Sequence, residues 1–273
     1  MELVEDSFGT QTSMVYYQKG TPDTFTSLNT TFVYIHGLGL DCNIGLGTNA
    51  GPNNGQWLVP DLVGHGRSSK PKGLNPYTMR NQAQTLAKII HSEELETVVF
   101  VAHSMGGLVA LHLQELLAEE NETMVIGLIY VEGNVDEGDT FLSRKIAHQP
   151  YEKFLSDPLG WTKLAKLDKY EEEITGWWRT LRQAGPWTTY ASSVDLVRES
   201  RPEITLPMFR RMNCPLLFVF GEKNKDRFTS EKVVIQEGYP VTYAPEAGHL
   251  VLEDNPAGLW KIAEEFSREH AIY

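Results

Sequence analysis

Cysteine is nearly absent from this chain: Cys42 and Cys214 are the only two in 273 residues. That excludes a disulfide framework, and neither lies near another cysteine at zinc-ligand spacing. Two thiols in such a chain read as reduced, and the expected location is cytoplasmic. Long apolar runs are missing too, with none reaching the roughly 18 residues of a membrane-spanning helix. The start Met1-Glu2-Leu3-Val4-Glu5-Asp6 has neither the basic residues nor the apolar core of a secretory signal. Basic residues are outnumbered, 24 Lys and Arg against 36 Asp and Glu, for a formal net charge of -12. This argues against nucleic acid or an anionic membrane as partner and leaves solubility as the plain role of the charge. The chain has no internal repeat and no low-complexity segment.

What is present is an alternation of strand-like and helix-like stretches, the pattern of a mostly parallel sheet with helices on both faces. Strands are expected near 13–18, 31–35, 56–60, 97–102, 124–131, 216–220 and 239–243. Helices are expected near 77–91, after Ser104, and near 256–267, the last with a buried stripe of Leu259, Ile262, Ala263 and Phe266. Between Asn134 and Asn213 the alternation stops. A charged, aromatic-rich, helix-like stretch replaces it, carrying Tyr151, Phe154, Trp161, Tyr170, Trp177, Trp178, Trp187 and Tyr190. The expected organisation is therefore an α/β core domain, 1–133 with 214–273, and a helical cap inserted at 134–213. The cap aromatics either form its own small core or line an apolar pocket.

The most informative stretch is Ala102-His103-Ser104-Met105-Gly106. The uncharged strand Thr97-Val98-Val99-Phe100-Val101 runs into it, and Leu108, Val109, Leu111, Leu113, Leu116 and Leu117 leave it at helical spacing. The chain must reverse within about three residues, which puts Ser104 in a left-handed conformation costing roughly 1 to 3 kcal/mol. Ala102 and Gly106 are small where a larger side chain would collide across the turn. A small-x-Ser-x-Gly string alone arises by chance in roughly one chain in five of this length; the strand before it and the helix after it make the case.

A serine hydroxyl needs a base, and the base needs a third group to hold its tautomer. His249, in a loop between the last strand and the final helix, is the expected base. The other histidines have plainer readings: His36 and His65 as loop ties, His91 and His112 as helix residues, and His103 pointing away from Ser104. For the third group, Asn224 occupies the expected place after the strand Leu216 to Phe220 and cannot stabilise an imidazolium by charge. Glu132, at the end of an apolar strand, is costly to bury unpaired and is the favoured partner of His249; Asp226 is the alternative. Backbone N–H groups of Met105 and Leu38 are the expected oxyanion donors, with Gly37 and Gly39 letting the backbone come close.

Taken together, His36-Gly37, Asp61-Leu62-Val63-Gly64-His65-Gly66-Arg67-Ser68, Ala102-His103-Ser104-Met105-Gly106-Gly107 and Gly248-His249 with Glu253 and Pro256 resemble the α/β-hydrolase family, in order and spacing along nearly the whole chain. The resemblance implies an eight-stranded sheet, a cap between strands six and seven, and a cofactor-free, metal-free Ser-His-acid site. The chain departs from the family at Asn224, its commoner acid position, while Glu132 matches an alternative position used by some haloalkane dehalogenases. Those enzymes and the epoxide hydrolases use an aspartate nucleophile, so serine at 104 disfavours both reactions. The expectation is a serine hydrolase acting on a small, largely apolar ester, thioester or lactone. Carbon-carbon or amide cleavage by the same groups, or ligand binding without catalysis, are the alternatives.

Overall fold

Short apolar strands separated by helices assemble into one sheet in the computed structural model, which describes residues 2–8, 11–21, 30–43, 51–120, 122–157 and 171–270. Side chains are described from Ser13 onward, outside 171–180 and 182. The strands are β1 (Glu2–Phe8), β2 (Gln11–Gly20), β3 (Thr31–Ile35), β4 (Gln56–Pro60), β5 (Thr97–His103), β6 (Met124–Val131), β7 (Leu216–Gly221) and β8 (Val241–Ala244). Their spatial order is β1-β2-β4-β3-β5-β6-β7-β8. Only β2 runs against its neighbours, so the sheet is mixed and mostly parallel.

Central strands must be apolar on both faces when helices cover both, and β3 and β5 are buried along nearly their whole length. The strand β1 is absent from the seven read in the sequence. Glu2, Glu5 and Asp6 interrupt its apolar pattern, and it exists through backbone pairing with β2, from Glu2 opposite Tyr17 to Phe8 opposite Gln11. The last strand begins at Val241 rather than 239, after Pro240, which has no N–H to donate to a ladder.

Helix α1 (Met79–Ser92), capped by the Thr78 hydroxyl accepting from Asn81 N–H, packs against α2 (Met105–Glu120). Residues three apart on a strand point to opposite faces, and β6 uses both. Gly107 of α2 lies against the Tyr130 ring, whereas Gly127 lies under Phe266. Phe266 belongs to the C-terminal helix, so α2 and that helix cover opposite faces. In it, Leu259, Ala263 and Phe266 are buried as expected, Ile262 is half-buried, and Trp260 is buried edge-on against Phe32.

Between β6 and β7 the described residues include four helices: α3 (Ser143–Ala147), α4 (Tyr151–Ser156), α5 (Glu171–Glu199) and α6 (Pro202–Arg211). The long α5 is broken at Gly185, whose φ of 84° precedes Pro186. Tyr151, Phe154, Trp187 and Tyr190 pack on one another at ring separations of 5.0 to 5.4 Å. Of the two roles weighed for these four aromatics, they take that of a core for the helical segment. Trp161 and Tyr170 lie outside the described residues, as do the side chains of Trp177 and Trp178. The remaining helices are α7 (Thr229–Gln236), α8 (Val251–Asp254) and α9 (Pro256–Glu269). Among the described residues no helix is long and apolar enough to cross a membrane.

The loops at the carboxyl ends of β3 and β4 are tied by buried polar groups. His36 Nδ1 donates to the Gly37 carbonyl (2.8 Å), and its Nε2 accepts from Leu62 N–H (3.0 Å). Asp61 accepts from Cys42 N–H and Arg67 N–H at 2.6 and 2.8 Å. His65, buried beside His36, donates from Nδ1 to the Val63 carbonyl. Burial holds both imidazoles below their ordinary titration range, and His36 depresses His65 further.

Two outcomes follow. A methyl at position 127 would overlap the Phe266 ring, so Gly127→Ala should cost about 1 to 3 kcal/mol by overpacking, and a thermal melt should fall by about 3 to 8 °C; an unchanged melt would mean the ring swings aside at no cost. For the histidines, the unfolded chain binds protons below about pH 6.5 that the folded chain refuses. Their contribution is therefore complete above that pH and is lost as pH falls, by up to about 1.4 kcal/mol per unit for each imidazole. Urea midpoints at pH 7 and pH 5 should show the drop, and His65→Gln should make it smaller.

Candidate active site

In a parallel sheet the last ladder bonds decide which residues stand side by side at the carboxyl edge. Ser104 N–H donates to the Val131 carbonyl and Glu132 N–H to the Val219 carbonyl, both at 2.9 Å. Each is the first residue past its strand, and each turns into the left-handed region, Ser104 at φ 53° and Glu132 at φ 47°. Non-glycine residues in that region cost about 1 to 3 kcal/mol apiece unless their surroundings hold them there. At Ser104 the surroundings include Gly106, where a Cβ would come within 2.7 Å of the His36 carbonyl and overlap that of Ile35. Helix α2 can thus start directly under the bend. Gly37 lies equally close, its missing Cβ position 3.0 Å from Ser104 Cβ.

Glu132 is buried, and both its oxygens are used. Oε1 accepts from Gly221 N–H (2.6 Å) and from the Asn224 amide (3.1 Å). Oε2 faces His249 Nδ1 at 3.3 Å. That contact assigns the proton to Nδ1 and leaves Nε2 as the basic nitrogen. Asp226, the alternative acid, is exposed, and its backbone N–H donates to Glu231 instead. Asn224 stands beside Glu132 rather than in its place.

The loop that carries His249 is fixed from three sides. His103 Nε2 donates to the His249 carbonyl at 2.7 Å, with the two rings 5.0 Å apart. Lys223 N–H donates to the Ala247 carbonyl, and Asp254 accepts from Gly248 N–H. Burial, and the neighbouring His249, push His103 down to about 3, so it remains a neutral donor. The expectation that His103 points away from Ser104 overlooked this contact. Its only trace in the sequence is a histidine inside an otherwise apolar strand end.

Ser104 and His249 line one cavity with Leu38, Asn134, Asp139, Phe141, Leu142, Ser143 and Leu196. It encloses about 20 Å³, on the order of one water. The Ser104 hydroxyl has no hydrogen bond among the described residues; hydrogen bonds between reactive groups are often long in the absence of a bound ligand and tighten in the complex. Leu38 and Met105 are buried on either side of the bend. Met105 opens α2, where the first helical N–H groups have no partner within the helix. Asp139 accepts from Ser230 and from the backbone N–H groups of Val135 and Asp136. Burial nevertheless raises it to about 7. Phe141, edge-on to His249 at 5.9 Å, is a cavity wall that sequence periodicity did not single out. Among the described residues no three or more His, Cys, Asp or Glu side chains converge as a metal site. A larger cavity, about 630 Å³, opens at the opposite end of the sheet, where β7 and β8 begin.

Comparison with known proteins agrees with this architecture. A thermophilic esterase from Thermogutta terrifontis superposes with a TM-score of 0.68 at 19% identity, covering 99% of this chain and 100% of its own. Est816, described as an N-acyl homoserine lactone degrading enzyme, does so with a TM-score of 0.64 at 17% identity, over 93% and 97%. At such identities the likeness is one of fold. Lipase LipV of Mycobacterium tuberculosis is 35% identical over 68 residues, a quarter of this chain and a quarter of the lipase. The profile of the alpha/beta hydrolase family matches residues 32–262. With that match over most of its length, the chain belongs to the alpha/beta hydrolase family.

Proposed function

We propose that this protein is a serine hydrolase that cleaves a small, largely apolar ester, thioester or lactone. The observation that carries the reading is the Glu132 to His249 contact at the cavity that also holds Ser104. Glu132 keeps the His249 proton on Nδ1. Nε2 then takes the Ser104 proton as Oγ attacks the substrate carbonyl. The N–H groups of Leu38 and Met105 receive the negative charge that develops on the carbonyl oxygen. Collapse of the tetrahedral intermediate expels the leaving group with the proton from His249, and a water activated by the same nitrogen then releases the acyl group from Ser104.

Two further points support the reading. Asn224 at the family's commoner acid position is what keeps a non-catalytic binding protein open as an alternative. It donates to the carboxylate beside it, so its presence does not leave the base without an acid. The cavity wall combines Leu38, Phe141, Leu142 and Leu196 with the polar Asn134 and Ser143, a lining suited to a mostly apolar acyl group. We assign residues 134–213 as a cap over this wall.

Ser104→Ala should lower turnover on a panel of short esters by about a million-fold, if the three side chains act as a unit, and should abolish labelling by a fluorophosphonate. Full activity in this variant on every ester would overturn the reading. The acid can be tested separately. Glu132→Gln should cost about ten-thousand-fold in kcat, whereas Asp226→Asn should leave kcat within about two-fold because exposed surface groups seldom matter; the opposite ranking would move the acid to the later loop.

A further inference from the structure

Glu132 can only direct one oxygen at His249 if its other oxygen is held, and one of the two groups that hold it is a side chain. We propose that Asn224 is a positioning residue for the triad: its amide, together with Gly221 N–H, grips Glu132 Oε1 and so aims Oε2 at His249 Nδ1. This deepens the serine-hydrolase reading and rests on it for its catalytic consequence.

Asn224 is completely buried at the end of the short turn Glu222–Asn224, and its backbone carbonyl accepts from Arg227 N–H. Its Nδ2 donates to Glu132 Oε1 at 3.1 Å, while its own Oδ1 has no hydrogen-bond partner among the described residues. A buried acceptor left unpaired is unfavourable, and an apolar side chain of the same shape would remove it. Stability alone therefore does not account for an amide here; the donor half does. Turning the amide over would set Oδ1 against Oε1, two acceptors with no proton between them, so the orientation is determined by its neighbour. The carbonyl of an asparagine brings no charge, which also matters. A carboxylate at this position would sit against Glu132, and two carboxylates at that separation do not both ionise readily.

The charged and titratable groups around this pair are few. His103 faces His249 from β5, Asp139 lines the cavity, and Asp254 holds the Gly248 N–H. Glu222, Lys223 and Lys225, on the same turn as Asn224, are exposed.

The test compares the full-length wild type with Asn224→Leu, which removes the donor, and Asn224→Asp, which restores one only while the pair of carboxyl groups shares a proton. Rates on a short ester are divided by active sites counted with a fluorophosphonate, and the His249 Nδ1–H resonance is followed by NMR. Asn224→Leu should lower kcat on the order of ten-fold, the size of one hydrogen bond to a charged group, with KM within about two-fold. Asn224→Asp should recover most of that loss near pH 6 and lose it again as pH rises to 9, a limb the wild type lacks. The His249 Nδ1–H resonance should move upfield in Asn224→Leu, because the carboxylate is no longer held against that proton. A Leu variant with wild-type kcat per site, an Asp variant whose profile parallels the wild type, or an unmoved Nδ1–H resonance would each overturn the proposal. Should the Leu variant fail to fold, the Asp profile decides. A wild type without Ser104-dependent turnover, but with a His249 Nδ1–H resonance that responds to position 224, would end the hydrolase reading and leave the positioning role standing.

Discussion

A carboxylate removed from water has to be given partners, and Glu132 draws three of them from two separate pieces of chain. Gly221 ends β7, Asn224 closes the turn after it, and His249 arrives on the loop beyond β8. Burying an ionised carboxyl without such contacts would cost several kcal/mol, and losing one partner of a buried pair is worse than never having it. The same four groups therefore organise the carboxyl edge of the sheet and align the imidazole. Gly221 serves twice, since a side chain there would run into the backbone at Ala247 and Gly248. The approach of the His249 loop depends on that missing Cβ as much as on the charge.

Next to this edge, the sheet presents Ser104 by the same device that presents Glu132. The ladder extends one bond past each strand, and the residue it reaches bends into the left-handed region. Strain at two neighbouring positions is tolerated because β3, β5, β6 and β7 around them are packed and fully bonded. It also places the two residues at the same edge of the sheet, on adjacent strands about 4.8 Å apart. The proposed chemistry thus depends on a backbone that would relax if either element were loosened.

The helical segment between β6 and β7 is attached to the core at both ends. At its start, Asp136 accepts from Thr229 and Asp139 from Ser230, which fasten the turn after β6 to α7. Further on, Asp195 accepts from Met79 N–H at the start of α1, and Glu199 pairs with His112 of α2 at 2.7 Å. Desolvation opposes ionisation of Glu199, but His112 and Arg198 outweigh it and keep its pKa low. Between these fastenings the segment has its own aromatic packing around Tyr151 and Tyr190. It contributes Phe141, Leu142, Ser143 and Leu196 to the cavity wall.

The amino-acid sequence by itself determined what local chemistry can determine. Apolar β-branched runs specify β3 to β7 within a residue or two, since a strand buried on both faces has no room for polar side chains. Small residues around Ser104 specify the bend, because no others fit it. Glu132 was legible as a buried charge in need of a partner, with His249 the favoured one. Only the tertiary structure decided the rest. β1 is a strand through its pairing with β2 and not through its residues. The donation from His103 to the His249 carbonyl joins positions 146 apart in the chain. Asn224, in the sequence a vacant acid position, became a donor to the acid on the neighbouring strand. Such contacts depend on which backbones come to lie side by side, and a hydrogen bond of 3 Å between distant residues leaves no periodicity in the chain that makes it.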